Sequence, residues 1–195
     1  MDSDRHSNLV WIDLEMSGLE DDHVILEIAS LVTNKNLEEL AEGPAIAIYR
    51  NAAELNNINE WSKEQHTKSG LLKRVHNSKI NTHSAELATL DFLKEWVDEG
   101  KSPICGNSIA TDRRFIRKEM PILDNFLHYR MIDVSTIKEL VSRWYPDETL
   151  PVKRGIHLAM SDIRESIEEL RWYKDRFFTM QNNTTGLDKE PKRSH

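Results

Sequence analysis

The hydrophobic period of this chain changes once, and the change sets the fold class. Over roughly the first 50 residues, apolar side chains come in short β-type runs, at 9–16, 24–32 and 44–49, separated by polar turns at 17–23 and 34–36. Three such runs predict an antiparallel meander. Further on, Leu87, Leu90, Leu93 and Val97 fall three or four apart, which is the spacing of a helix face, and Gly100 ends it. Short strands over 103–105 and 131–133 then alternate with helices over 110–120 and 135–144, with Ser135 as the expected N-cap of the second. The last helix, from residue 161, sets Ile163, Ile167, Leu170, Tyr173 and Phe177 on one face and Arg164, Glu165, Glu168 and Glu169 on the other. A meander followed by alternating helix and strand is an α/β arrangement around a mixed sheet.

The 195 residues suffice for one full core. The reading is a polar leader over 1–7, a single domain over 8–180 and a disordered tail over 181–195. No run approaches the ~20 apolar residues of a membrane span, and none resembles a signal peptide. The one cysteine, Cys105, has no disulfide partner within the chain, which fits a reducing compartment, so a cytoplasmic location is expected. The net charge of −7 argues against a protein that tracks along nucleic acid, since a basic face normally supplies that affinity. Any nucleic-acid substrate must therefore be short enough for a local pocket.

Asp13 and Glu15 stand two apart in the first strand, so both carboxylates share one face while Ile12 and Leu14 take the other. Two acids on so apolar a strand are costly unless a cation accompanies them. Asp112 falls in the first turn of the helix after Gly106-Asn107-Ser108, a turn whose backbone N–H groups can receive a phosphate. Asp162 opens the last helix, with His157 on the approach to it. Each of these has an ordinary explanation alone, as a solvated charge, a helix-dipole partner or a cap. Together they lie at the ends of different elements, as the parts of a composite metal site do. Four carboxylates without thiolates favour Mg²⁺ or Mn²⁺ over zinc. Two such ions clamp the oxygens of a phosphodiester displacement, and a histidine serves as base near neutral pH.

The order Asp-x-Glu, Asp, His-x₄-Asp resembles the DEDD exonucleases of the histidine subtype. The segments Trp11-Ile12-Asp13-Leu14-Glu15-Met16-Ser17-Gly18-Leu19, Ser102-Pro103-Ile104-Cys105, Gly106-Asn107-Ser108-Ile109, Asp112-Arg113-Arg114-Phe115, His128-Tyr129-Arg130, Asp133-Val134-Ser135-Thr136 and Asp162-Ile163-Arg164-Glu165-Ser166 narrow it to the oligoribonuclease family. The likeness runs from about Asn8 to Phe178. It implies a ribonuclease-H-like fold, with a mixed five-stranded sheet flanked by helices, and two divalent ions. Asp13 would bridge both ions, Glu15 and Asp162 would complete one site, Asp112 would serve the other, and His157 would be the base. It further implies a homodimer that degrades oligoribonucleotides from the 3′ end, the shortest best. Ser108, Arg130 and Ser135 would grip the 5′ phosphate, Leu14 would wedge against the bases, and Trp61 and the partner subunit's Tyr129 would bracket them.

Other residues carry blander readings. Asp21-Asp22-His23 reads as a solvated turn, and Trp96, Trp144 and Trp172 as core or dimer packing. Cys105 reads as a small buried hydrophobe. His66 lies either near the substrate or at a helix terminus, and Asp133 ends a strand beside the site. Two competing functions remain: a DNA proofreading or repair exonuclease of the same superfamily, and a non-catalytic RNA-binding module.

Overall fold

The computed structural model describes residues 5–151 and 158–178. His157 and the tail over 181–195 lie outside the described residues, as do the first four residues of the leader. The strands are β1 (Leu9–Met16), β2 (Ile25–Thr33), β3 (Glu39–Ala47), β4 (Ile104–Gly106) and β5 (Met131–Asp133). They form one sheet in the order β3-β2-β1-β4-β5. The first three pair antiparallel as the expected meander, while β4 and β5 add in parallel. This is the mixed five-stranded sheet.

Helices cover both faces: α1 (Glu60–Lys68), α2 (Leu71–Asn77), α3 (Thr82–Trp96), α4 (Ile109–Glu119), α5 (Pro121–Phe126), α6 (Val134–Trp144) and α7 (Ala159–Phe177). Strand alternation divides β1 between two cores. Val10, Ile12 and Leu14 pack with Leu90, Leu93, Phe115 and Ile116 of α3 and α4. Trp11 faces the other way, into Val134, Val141, Ile163, Ile167 and Tyr173 of α6 and α7. Its indole donates to Thr33 Oγ1 at 3.0 Å, which satisfies the one polar atom that this burial would strand. Asp13 and Glu15 share the Trp11 face, so the same alternation aims them towards α7.

Several boundaries shift by a residue or two, and two differences have a clear physical reason. β3 begins at Glu39 and ends at Ala47, not over 44–49, because it is the edge strand: its charged Glu39 and Glu42 face solvent and Pro44 is tolerated there. The N-cap of α6 is Asp133, whose carboxylate accepts from Ser135 N, so Ser135 is the second helical residue and its hydroxyl is released for other work. Cys105 is fully buried in β4, as expected. Trp96 and Trp172 pack partly buried against the two cores, whereas Trp144 is exposed.

Candidate active site

Asp13, Glu15 and Asp162 offer carboxylate oxygens that all lie within 4.8 Å of one another. Asp162 reaches the strand pair from the first turn of α7. Immediately after Glu15 the β1–β2 register slips, a bulge of the kind that re-aims side chains beside active sites. Asp112 stands just outside this group. It is buried in the first turn of α4 and accepts the backbone N–H of Leu14 at 3.0 Å, from the residue between the two strand acids.

The electrostatics are those of a site built for cations. Burial, then the charges of Asp162, Glu27 and Asp112, push Glu15 up to about 8. Burial also pushes Asp112 up to about 7, against the opposing bond from Leu14. Carboxylates so crowded hold protons near neutrality unless a cation replaces them. The donors are all oxygens of hard ligands, which suits divalent ions such as Mg²⁺ or Mn²⁺.

Side chains behind the cluster were invisible to sequence spacing. His66 is buried, with Nε2 2.8 Å from Met16 O and Nδ1 3.7 Å from Glu15 Oε2. Glu27, cross-strand neighbour of Glu15, pairs with Arg74 at 2.8 Å. His23 is buried under Gly18, where an added Cβ would sit 2.4 Å from the ring, and contacts Ser17 Oγ at 3.1 Å. Only Asp21 and Asp22 of that turn are solvated.

A second constellation adjoins at the ends of β4 and β5. Ser108 adopts a left-handed conformation, φ 51°, before α4. Its N–H is already engaged by Asp133 Oδ1 and Ser135 Oγ, so this amide is occupied rather than open to a phosphate. The two serine hydroxyls lie 3.1 Å apart. Asn107 ties them to α7: its Oδ1 accepts from Ser135 Oγ, and its Nδ2 donates to Ser166 Oγ and Glu169 Oε2. Ser166 Oγ donates in turn to the Asp162 carbonyl at 2.8 Å. A chain of hydrogen bonds therefore joins the serine pair to a metal-ligand candidate. At the serine end of this chain, Asp133 Oδ1 accepts the backbone N–H of both serines.

Trp61 is 60% and Tyr129 72% exposed, and the Arg130 guanidinium lies 5.4 Å from the Tyr129 ring centre. Leu14 belongs to the opposite face of β1. It is 4% exposed and locked in the α3–α4 core, because strand alternation turns it away from the face of Asp13 and Glu15. Leu19, by contrast, is 59% exposed, in a loop that Arg114 fastens by its carbonyl. That loop also meets α1, where Asn59 N donates to Ser17 O.

The exonuclease family model of the RNase T type matches residues 10–170. An oligoribonuclease of Klebsiella pneumoniae is 53% identical over 180 residues, covering 91% of this chain and 99% of its own. Those of Pasteurella multocida and Escherichia coli are each 52% identical, over 90% and 91% of this chain and 96% and 99% of theirs. Among solved structures, Escherichia coli exonuclease I in complex with a 5cy-dT13 oligonucleotide superposes with a TM-score of 0.66 at 15% identity. Exonuclease I from Methylocaldum szegediense gives 0.64 at 15%. Both cover 88% of this chain, which spans only 41% of their length. At that identity the likeness is one of fold.

Proposed function

The chain belongs to the oligoribonuclease family of exonucleases, and on that premise we propose that it hydrolyses very short RNAs, dinucleotides above all, from the 3′ end to 5′-mononucleotides. The observation that carries the reading is the convergence of Asp13, Glu15 and Asp162 on one point, with Asp112 braced on the same strand.

Asp13, Glu15, Asp162 and Asp112 would hold two divalent ions. When bound, such ions neutralise the scissile phosphate and activate a water for attack. His157, five residues before Asp162, takes the proton from that water, a task suited to an imidazole near neutral pH. The serine pair Ser108 and Ser135 together with Arg130 receives the 5′ phosphate, through hydroxyls and a planar cation that make charge-assisted bonds. Trp61 stacks on one base and Tyr129 of the partner subunit brackets another in a homodimer, contacts that bind any base at roughly 1–3 kcal/mol each. Leu14 would wedge against the bases, and Leu19, the exposed leucine of the adjoining loop, is the alternative wedge.

A capped pocket leaves a third nucleotide without room, and it explains how a chain of net charge −7 handles RNA without a basic track. The test is a time course with 5′-labelled RNAs of two to seven nucleotides and matched DNA, with Mg²⁺, Mn²⁺ or chelator. Metal-dependent release of single 3′ nucleotides, fastest from the RNA dinucleotide, is the expected result. Equal turnover of long or deoxy strands would move the chain to a DNA exonuclease role. No turnover under any condition would leave a binding module.

A further inference from the structure

We propose that Arg113 is a positioning residue for the 5′-phosphate cap: its buried guanidinium gathers the backbone of residues 128–130 and so aims Tyr129 and Arg130 at the substrate. The proposal rests on the reading above that those two side chains bind it.

Arg113 follows Asp112 on α4 and is 6% exposed. Its Nη1 lies 2.9 Å from His128 O, 3.0 Å from Tyr129 O and 3.3 Å from Arg130 O. Its Nε donates to Asp124 Oδ1 at 3.0 Å, and the other oxygen of Asp124 accepts from Arg117 Nε at 3.1 Å. Three successive carbonyls drawn to one buried cation leave the loop little freedom. With the carbonyls held inward, Tyr129 and Arg130 are left on the surface. The loop is braced again by Arg130 N, which donates to His128 Nδ1 at 3.1 Å.

Neighbouring residues on a helix point about 100° apart. Asp112 therefore reaches β1 while Arg113 reaches the loop, and a single helical turn sets the span between metal ligand and phosphate cap. That span is what a dinucleotide must match. Arginine is required because one planar fork serves the carboxylate and the carbonyls together, which a lysine ammonium cannot do from the same stem. Freeing the fork would strand a buried charge, so the loop conformation is held by the cost of leaving it.

The experiment uses the full chain with Arg113→Lys, Asp124→Asn and Arg130→Gln. It measures KM and kcat on a 5′-phosphorylated RNA dinucleotide and on the same dinucleotide with a 5′ hydroxyl, together with Mn²⁺ binding by calorimetry and melting temperature. Arg113→Lys should raise KM for the phosphorylated substrate about 10- to 100-fold, the loss of one or two charge-assisted bonds. It should bring the preference for the 5′ phosphate towards one and leave Mn²⁺ affinity unchanged. Asp124→Asn, which keeps the cation but loosens its anchor, should shift the preference in the same direction and decides the matter if Arg113→Lys does not fold. An unchanged preference in a folded variant overturns the proposal, and so does an equal fall on both substrates that tracks melting temperature. If Arg130→Gln loses the preference while the other two keep it, only the positioning role of Arg113 fails. If Arg130→Gln also keeps it, the cap reading itself fails and the proposal with it.

Discussion

The backbone N–H of Leu14 donates to Asp112 Oδ1 at 3.0 Å, so the residue between the two strand carboxylates fixes the orientation of the helix carboxylate. Asparagine keeps an acceptor oxygen at that position and removes only the charge. Asp112→Asn should therefore fold normally yet lose activity by more than the roughly 100-fold that changes behind a metal ligand reach. The melting temperature without metal should not fall, because a carboxylate held above its ordinary range by burial is a burden that the amide removes. Steady-state kinetics and thermal melts in chelator check both halves, and full activity in this variant would sink the metal reading.

The same shifts fix a pH dependence. Glu15 and Asp112 are pushed up to about 8 and 7 from ordinary values of 4.5 and 3.8. Between these limits the folded chain binds more protons than the unfolded one, so stability falls as pH rises. The contribution is fully present below about pH 4 and gone above about pH 8. Metal-free protein should melt progressively lower from pH 5 to pH 8.5, and the gain on adding Mn²⁺ should grow over the same window as ions displace protons. A flat apo profile would show that these carboxylates are not crowded as described.

His66 brings a buried imidazole against Glu15, anchored by Nε2 on the Met16 carbonyl at 2.8 Å. It restrains the one ligand candidate that follows directly into a bulge. His66→Ala should weaken divalent-ion affinity about 10- to 100-fold, the usual effect of removing a group that orients a ligand. Calorimetric Mn²⁺ titration measures it, and unchanged affinity would reduce His66 to a packing residue.

The parts of the site that sequence reading reached are those carried by strong local patterns. β1 and α7 have clear periods, and their periods aim Asp13, Glu15 and Asp162. α1 and α2 went unread because α1 has one strongly apolar side chain, the exposed Trp61, so its period is blank. The available signals were Asn59, which caps Ser62 N, and the Leu71/Val75 pair of α2. Leu14 lies on the face of β1 opposite the acids, as strand alternation dictates. His66, Asn107 and Arg113 act on partners distant in sequence, such as Asn107 on Glu169 and His66 on Met16, and no local spacing reports such pairs.

Asn107 tests whether the two halves of the site are coupled. It accepts from Ser135 Oγ and donates to Ser166 and Glu169, whose other oxygen accepts from the buried Tyr173 hydroxyl at 3.0 Å. Asn107→Ala should cost about 1–3 kcal/mol of stability, since it leaves part-buried polar partners unsatisfied. It should also raise KM for the dinucleotide more than Ser166→Ala does, because only Asn107 touches the serine pair. Chemical denaturation and steady-state kinetics on the two variants make the comparison, and equal KM values would uncouple the cap from α7.

Leu14 and Leu19 separate packing from binding on one stretch of chain. Leu14 is 4% exposed among Ile109, Phe115 and Ile116, so Leu14→Ala should cost about 2–5 kcal/mol through lost burial and the cavity left behind. If Leu19 is the wedge, Leu14→Ala should change KM little in the protein that remains folded. Leu19 is 59% exposed, so Leu19→Ala should stay within about 0.5 kcal/mol of the parent. If the bases part over Leu19, its loss should raise KM for the RNA dinucleotide several-fold, and pairing it with Trp61→Ala should compound the effect. Denaturation curves and dinucleotide kinetics on the three variants read both axes. A KM change confined to Leu14→Ala would place the wedge on the strand and not on the loop.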